Sequence, residues 1–217
     1  MSLLSRIKCV LTMGRGVMTG LPAASAQCDP LELFGQWFVA AREAGILFPE
    51  AACLATATPD GRPSARMVLM KGYDRRGIQF FTNYDSRKAR ELTANPHAAL
   101  CFHWAILERQ VRIEGTVTRL SAQESFAYFK TRARGSRLGA WASKQSQPLA
   151  SRDELAQRVK DFQAKYPDDQ VPLPPYWGGF LLAPVSMEFW QGRASRLHDR
   201  LVFERTGDIW ETRWLYP

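Results

Sequence analysis

Metal-binding and thiol side chains are scarce in this chain, which carries four cysteines and three histidines in 217 residues. Cys9, Cys28, Cys53 and Cys101 show no C-x-x-C spacing, and His97, His103 and His198 form no H-E-x-x-H pattern, so no metal site is expected. The cysteines are expected as free thiols, two of them in apolar β-prone runs where a thiol packs as a small hydrophobe. No apolar run approaches the ~20 residues that a membrane-spanning helix needs. G-x-G-x-x-G turns and P-loops are missing, which disfavours a Rossmann or kinase-type phosphate cradle. No serine or cysteine stands in a nucleophile elbow, so a hydrolase triad lacks support. Acidic residues are also in deficit, 21 against 29 basic ones, and the resulting +8 charge favours anionic partners such as phosphates, nucleic acid or acidic lipid.

The composition is otherwise that of a folded domain, with 46% hydrophobic and 23% charged residues. Arg6 and Lys8 precede a short apolar patch, and Ala24-Ser25-Ala26 is like a cleavage site, but Gly14-Arg15-Gly16 interrupts any secretory core. Residues 1–28 are therefore expected to be a mobile arm of a cytoplasmic protein, and 29–217 a single domain.

Asp29-Pro30-Leu31-Glu32 signals a helix start, with Phe34, Trp37, Phe38 and Ala41 on its apolar face and Gly45 at its end. From Ala52 to Thr82, turn signals at Pro59-Asp60-Gly61 and at 74–77 separate three strands. Ser86 opens a short helix that stops before Pro96, and 98–104 and 109–120 are two more strands. Ser121-x-x-Glu124 and Ser151-x-x-Glu154 predict two helices, carrying Phe126 and Phe129, and Leu155, Val159 and Phe162, with a basic loop between them. Runs at 180–182, 187–190, 201–204 and 210–215 return to strand. The pattern is mainly β with helical insertions, pointing to an antiparallel barrel.

Three segments concentrate cations. Residues 66–71 place Arg66 and Lys71 on one strand, five apart and so on opposite faces unless a bulge intervenes; each is either a solvated edge cation or an anion ligand. Asp85-Ser86-Arg87-Lys88 opens a helix, where backbone N–H groups, a hydroxyl and two cations could seat a phosphate or simply face water. Tyr128, Arg132, Arg134, Ser136 and Arg137 crowd donors suited to a second phosphate. Near the end, Trp190-Gln191-Gly192 leads to His198 between Arg196 and Arg200, either a structural imidazole or a catalytic one.

Taken in series, residues 66–71 (R-M-V-L-M-K), 80–88 (F-F-T-N-Y-D-S-R-K), 107–115 (L-E-R-Q-V-R-I-E-G), Y-F-x-x-R-x-x-x-S at 128–136, K-Q-S at 144–146, W-G-G-F at 177–180, E-F-W-Q-G at 188–192 and R-L-H-D-R at 196–200 resemble the pyridoxine/pyridoxamine 5′-phosphate oxidase family. The resemblance implies an FMN-binding split β-barrel homodimer with each flavin at the subunit interface. By resemblance, the FMN contacts are Arg66, Met67, Val68, Leu69, Met70, Lys71, Phe81, Thr82, Arg87, Lys88, Gln110, Gln145, Ser146, Trp190 and Arg200. Lys71, Tyr128, Arg132 and Ser136 correspond to the grip on the substrate phosphate, and Arg196, Leu197 and His198 to residues over the pyridine ring, Arg196 and His198 as the catalytic pair. The implied reaction turns pyridoxine or pyridoxamine 5′-phosphate into pyridoxal 5′-phosphate, with O2 as acceptor and hydrogen peroxide as product. Alternatives are a related flavin oxidase for another ring, such as a phenazine precursor, and a non-catalytic binder of FMN, pyridoxal phosphate or nucleic acid. The chain departs from the family at Ala133, at Arg137 and at Trp214-Leu215-Tyr216-Pro217, and it has no tyrosine before Tyr73.

Overall fold

A computed structural model describes Leu21 and residues 29–217; the expected arm, with Cys9 and Cys28, otherwise lies outside the described residues. Helix α1 (Pro30–Glu43) starts where the sequence predicts. Asp29 Oδ1 accepts from the Leu31 N–H at 2.8 Å, and Pro30 takes a first-turn position that needs no donor. Gly45 leaves the helix at φ 75°, a left-handed turn that costs glycine little. The buried face of α1 plugs the barrel: Phe34 meets Tyr73 and Phe102 edge-on at 5.3 and 5.0 Å, and Trp37 meets Phe189 at 5.3 Å.

Eight strands follow: β1 (Ala51–Ala57), β2 (Pro63–Asp74), β3 (Gly77–Asn83), β4 (His97–Trp104), β5 (Arg109–Arg119), β6 (Trp177–Gln191), β7 (Asp199–Thr206) and β8 (Ile209–Leu215). Every neighbouring pair is antiparallel, in the order β3-β2-β1-β4-β5-β6-β7-β8, and a further β3–β6 pairing closes the first six into a barrel. Closure covers the β3 edge, which would otherwise invite aggregation, and leaves β8 as the edge strand. Leu54, Phe80, Phe102, Ile113 and Phe189 alternate inward from different strands and fill the interior.

The two runs expected at 180–182 and 187–190 are one continuous strand. Its first half pairs with β3 and its second half with β7. The partner changes around Pro184, which has no N–H to donate, and a register shift at Glu114/Gly115 of β5 accommodates the bend.

Four helices decorate the barrel: α2 (Arg87–Ala94), α3 (Ala122–Phe129), α4 (Arg134–Ala142) and α5 (Arg152–Lys165). Helix α4 occupies the expected basic loop. Leu138, Ala140 and Ala142 bury its inner face, and that packing outweighs the poor propensity of Gly135 and Gly139. Phe126 faces out of α3, whereas Phe129 joins a second core with Leu138, Val171 and Trp177. No helix among the described residues is long and apolar enough to cross a membrane.

Candidate active site

Arg66 lies on the more buried side of β2, opposite the exposed Met67 and Leu69. Its Nη2 donates to Ser64 Oγ at 2.5 Å and to Glu91 Oε2 at 3.1 Å, and its Nη1 donates to Thr56 Oγ1 at 2.5 Å. Glu91, 6% exposed, also accepts from Thr56 at 2.5 Å, Ser64 at 2.6 Å and Arg87 Nε at 2.8 Å. Burial alone would raise its pKa, but the donors of Ser64, Thr56, Arg87 and Arg66 favour the carboxylate and hold it at about 2. One turn earlier, Lys88 Nζ donates to Gln145 Oε1 at 2.8 Å and to Thr82 Oγ1 at 3.1 Å. Burial, then the Arg66 charge, lower the pKa of Lys88. Arg66, Thr82, Arg87, Lys88 and Gln145 thus converge around the start of α2. Ser86 is fully buried there, and its Oγ has no partner among the described residues. Ser146 follows Gln145, exposed and left-handed at φ 70°.

A second cation lies beside an aromatic stack. Phe81 lies 4.0 Å from Tyr128 and 5.6 Å from Trp177, ring centroid to centroid, and the Arg132 guanidinium lies 4.7 Å over Trp177. Arg132 Nη1 is buried without a hydrogen-bond partner among the described residues, and burial lowers the pKa of the guanidinium. A buried donor of that kind calls for an acceptor, and a cation calls for an anion. Burial also pushes the Tyr128 hydroxyl up. Two of the five donors expected here face elsewhere. Arg134 donates to the carbonyls of Tyr166, Pro167 and Asp168 beyond α5, and Arg137 is buried against Asp169. Tyr128, Arg132 and the exposed Ser136 remain.

Gln110, Trp190 and Arg200 are direct cross-strand partners and form a row over β5, β6 and β7. Glu188 holds Arg200 through Nε at 2.8 Å and Nη2 at 3.1 Å, which raises the guanidinium pKa. His198 lies 4.6 Å from Trp190, ring to ring, while Arg196 and Leu197 are exposed. Lys71 falls at a register shift between Met70 and Gly72 and lines a cleft of about 490 Å³ with Phe38, Arg42, Glu50 and Tyr73. A bulge does intervene on this strand, but Lys71 still points to the exposed side and Arg66 to the buried one. Val68 is half-buried and Met70 buried. None of Tyr128, Arg132 and Ser136 lines the Lys71 cleft.

Two of the carboxylates that organise these cations, Glu91 and Glu188, are residues that sequence reasoning missed, whereas Asp199 stands in the R-L-H-D-R segment already singled out. Glu91 had a local signal, its i,i+4 spacing from Arg87.

An antiparallel six-stranded barrel whose closing strand β6 also carries the same sheet on through β7 and β8 defines a split β-barrel protein. Residues 39–166 match the pyridoxamine 5′-phosphate oxidase family and 177–217 match the pyridoxine 5′-phosphate oxidase C-terminal dimerisation region, so the chain belongs to the pyridoxamine 5′-phosphate oxidase family. It is 52% identical to the pyridoxine/pyridoxamine 5′-phosphate oxidase of Psychromonas ingrahamii, with 100% of each chain covered. Among solved structures, it is 34% identical to PhzG from Burkholderia lata, a complex with tetrahydrophenazine-1-carboxylic acid, at a TM-score of 0.87 over 93% of this chain and 100% of that one. It shares its fold with a pyridoxamine 5′-phosphate oxidase-related, FMN binding protein from Nostoc punctiforme, 20% identical, at a TM-score of 0.73 over 88% of this chain and 100% of that one.

Proposed function

We propose that the protein oxidises pyridoxine 5′-phosphate or pyridoxamine 5′-phosphate to pyridoxal 5′-phosphate, using FMN and O2 and releasing hydrogen peroxide, as a cytoplasmic homodimer. The observation that carries this reading is Nη1 of Arg132, buried and unpartnered among the described residues, which would supply a second anion grip beside the cation cluster at α2. A cofactor phosphate and a substrate phosphate need two such grips.

Arg66, Thr82, Arg87, Lys88, Gln145 and Ser146 would hold the FMN phosphate, with residues 67–71 and Phe81 beside the rest of the flavin. Lys88 and Gln145 already share a hydrogen bond, and Arg66 and Arg87 share one carboxylate, so these donors are ordered by the protein. Gln110, Trp190 and Arg200 would approach the flavin from a second copy of the chain, which the match of 177–217 to a dimerisation region supports. The exposed Met67 and Leu69 on β2 suit burial between two copies. Tyr128, Arg132 and Ser136 would take the substrate phosphate together with Lys71, whose side chain lines a separate cleft of the isolated chain, and Arg196, Leu197 and His198 would lie over the pyridine ring and orient it. When bound, FMN supplies the two-electron acceptor and passes those electrons to O2. For the alcohol, the balance is substrate plus O2 to aldehyde plus hydrogen peroxide; for the amine, water enters and ammonia also leaves. The chain's own task is to position the 4′ carbon, which is why anchors outnumber acid and base groups.

The likeness to PhzG favours a second reading, an oxidase for a phenazine-type ring. Flavin-loaded protein incubated in air with pyridoxamine 5′-phosphate should yield aldehyde and peroxide together. Turnover of a reduced phenazine precursor without either product would establish the second reading instead, and yellow protein inert to both would indicate a flavin store.

A further inference from the structure

Strand β6 ends at Gln191 and β7 begins at Asp199, and the intervening residues form a loop stapled at its neck. Arg193 spans the neck, with Nε 2.7 Å and Nη2 2.6 Å from Asp199 Oδ2. The backbone N–H of the same Arg193 donates to His198 Nδ1 at 3.1 Å. A backbone amide can only donate, so Nδ1 must present its lone pair and the ring proton of the neutral imidazole must sit on Nε2. At 4.6 Å, the Trp190 ring limits the other motion open to the imidazole, rotation about its Cβ–Cγ bond.

The loop's backbone needs such a staple. Ser195 and Arg196 are consecutive left-handed residues, at φ 58° and 62°, and neither is glycine. Backbone of that kind persists where its surroundings over-determine it. Between the two stapled ends, the Leu197 N–H donates to Ala194 O at 3.2 Å and closes the turn.

We propose that Asp199 is a positioning residue: through Arg193 it holds the Arg193 amide against His198 Nδ1, and so presents Nε2–H as a fixed hydrogen-bond donor to an oxygen substituent on the substrate ring. The step to the substrate rests on the reading of His198 given above; the tautomer and its dependence on Asp199 do not.

The test is nitrogen NMR of the histidine side chains in the flavin-loaded protein. The chain has three histidines, and His198→Ala identifies the relevant signals. The native protein should show His198 as the Nε2–H tautomer, and Asp199→Asn should convert it to a mixture without changing flavin content. Turnover should fall roughly tenfold to a hundredfold in the same variant, the scale of effect expected when a group near the reacting atoms is misplaced. Arg193→Lys, which keeps the charge but loses the two-point grip, should do the same and replaces Asp199→Asn if that variant does not fold. Nδ1–H in the native protein would overturn the proposal, as would an unchanged tautomer in both variants. A correct tautomer in a protein that turns over no pyridoxamine 5′-phosphate would support the positioning role and reject the functional reading.

Discussion

Glu91 and Arg66 sit on different elements, a helix and a strand, yet share a hydrogen bond of 3.1 Å, and the other carboxylate oxygen takes Arg87 at 2.8 Å. One carboxylate therefore organises two guanidiniums that would otherwise repel each other beside Lys88. If these cations hold the flavin phosphate, Glu91→Gln should raise the dissociation constant for FMN about tenfold, or ~1.4 kcal/mol. Riboflavin, which has no phosphate, should bind as before. Equal losses for both ligands would mean that Glu91 merely supports the fold, and tighter FMN binding would mean that it acts only as a competing anion.

The same carboxylate sets an acid limit. Its pKa falls from 4.5 to about 2 on folding, so the unfolded chain binds the extra proton between those values. The stabilisation is complete above the unfolded pKa and is lost as pH drops through the folded one. It is on the order of 3 kcal/mol. In urea melts, the stability gap between the native protein and Glu91→Gln should be constant from pH 7 to pH 5 and should close as the pH approaches 2. A gap that persisted at pH 2 would place its origin in packing.

Local signals in the sequence disclosed what local chemistry decides. Ser121 and Glu124 form the full capping box, Asp29 and Pro30 open α1, and the hairpin at 74–77 closes with Gly77 opposite Asp74. Helix α4 was hidden because two glycines weaken its local preference, and only tertiary burial of Leu138 and capture of Arg134 by distant carbonyls decide it. Strand β6 looked broken because Pro184 interrupts the pattern where its neighbour changes. The cation segments were legible in the sequence, but the carboxylate between Arg66 and Arg87 was not tied to them: Thr56 and Glu91 meet across 35 residues, and spacing carries no trace of that.

Arg132 offers the sharpest test of the substrate's charge. Arg132→Ala should weaken binding of pyridoxamine 5′-phosphate by roughly 2–4 kcal/mol through loss of a charge-assisted pair. Unphosphorylated pyridoxamine should be unaffected, and FMN content should not change, because the hydrogen-bonded donors of the α2 cluster are Arg66, Arg87 and Lys88 and not Arg132. An unchanged Michaelis constant for the phosphorylated amine would remove the phosphate grip from this residue.

Barrel closure depends on Gly77. It sits at φ 139°, a conformation that side chains rarely adopt, and a Cβ there would lie 1.9 Å from the backbone oxygen of Leu182 on β6. Relief requires β3 and β6 to separate at the pairing of Ile78 with Leu182, the hinge of closure. Gly77→Ala should therefore destabilise the fold by about 2–4 kcal/mol, combining backbone strain with the clash. Hydrogen exchange should localise the damage to Ile78–Asn83 and the first half of β6, with the β7–β8 hairpin still protected. Uniform loss of protection, or a melting temperature equal to the native one, would show that closure does not hinge on this contact.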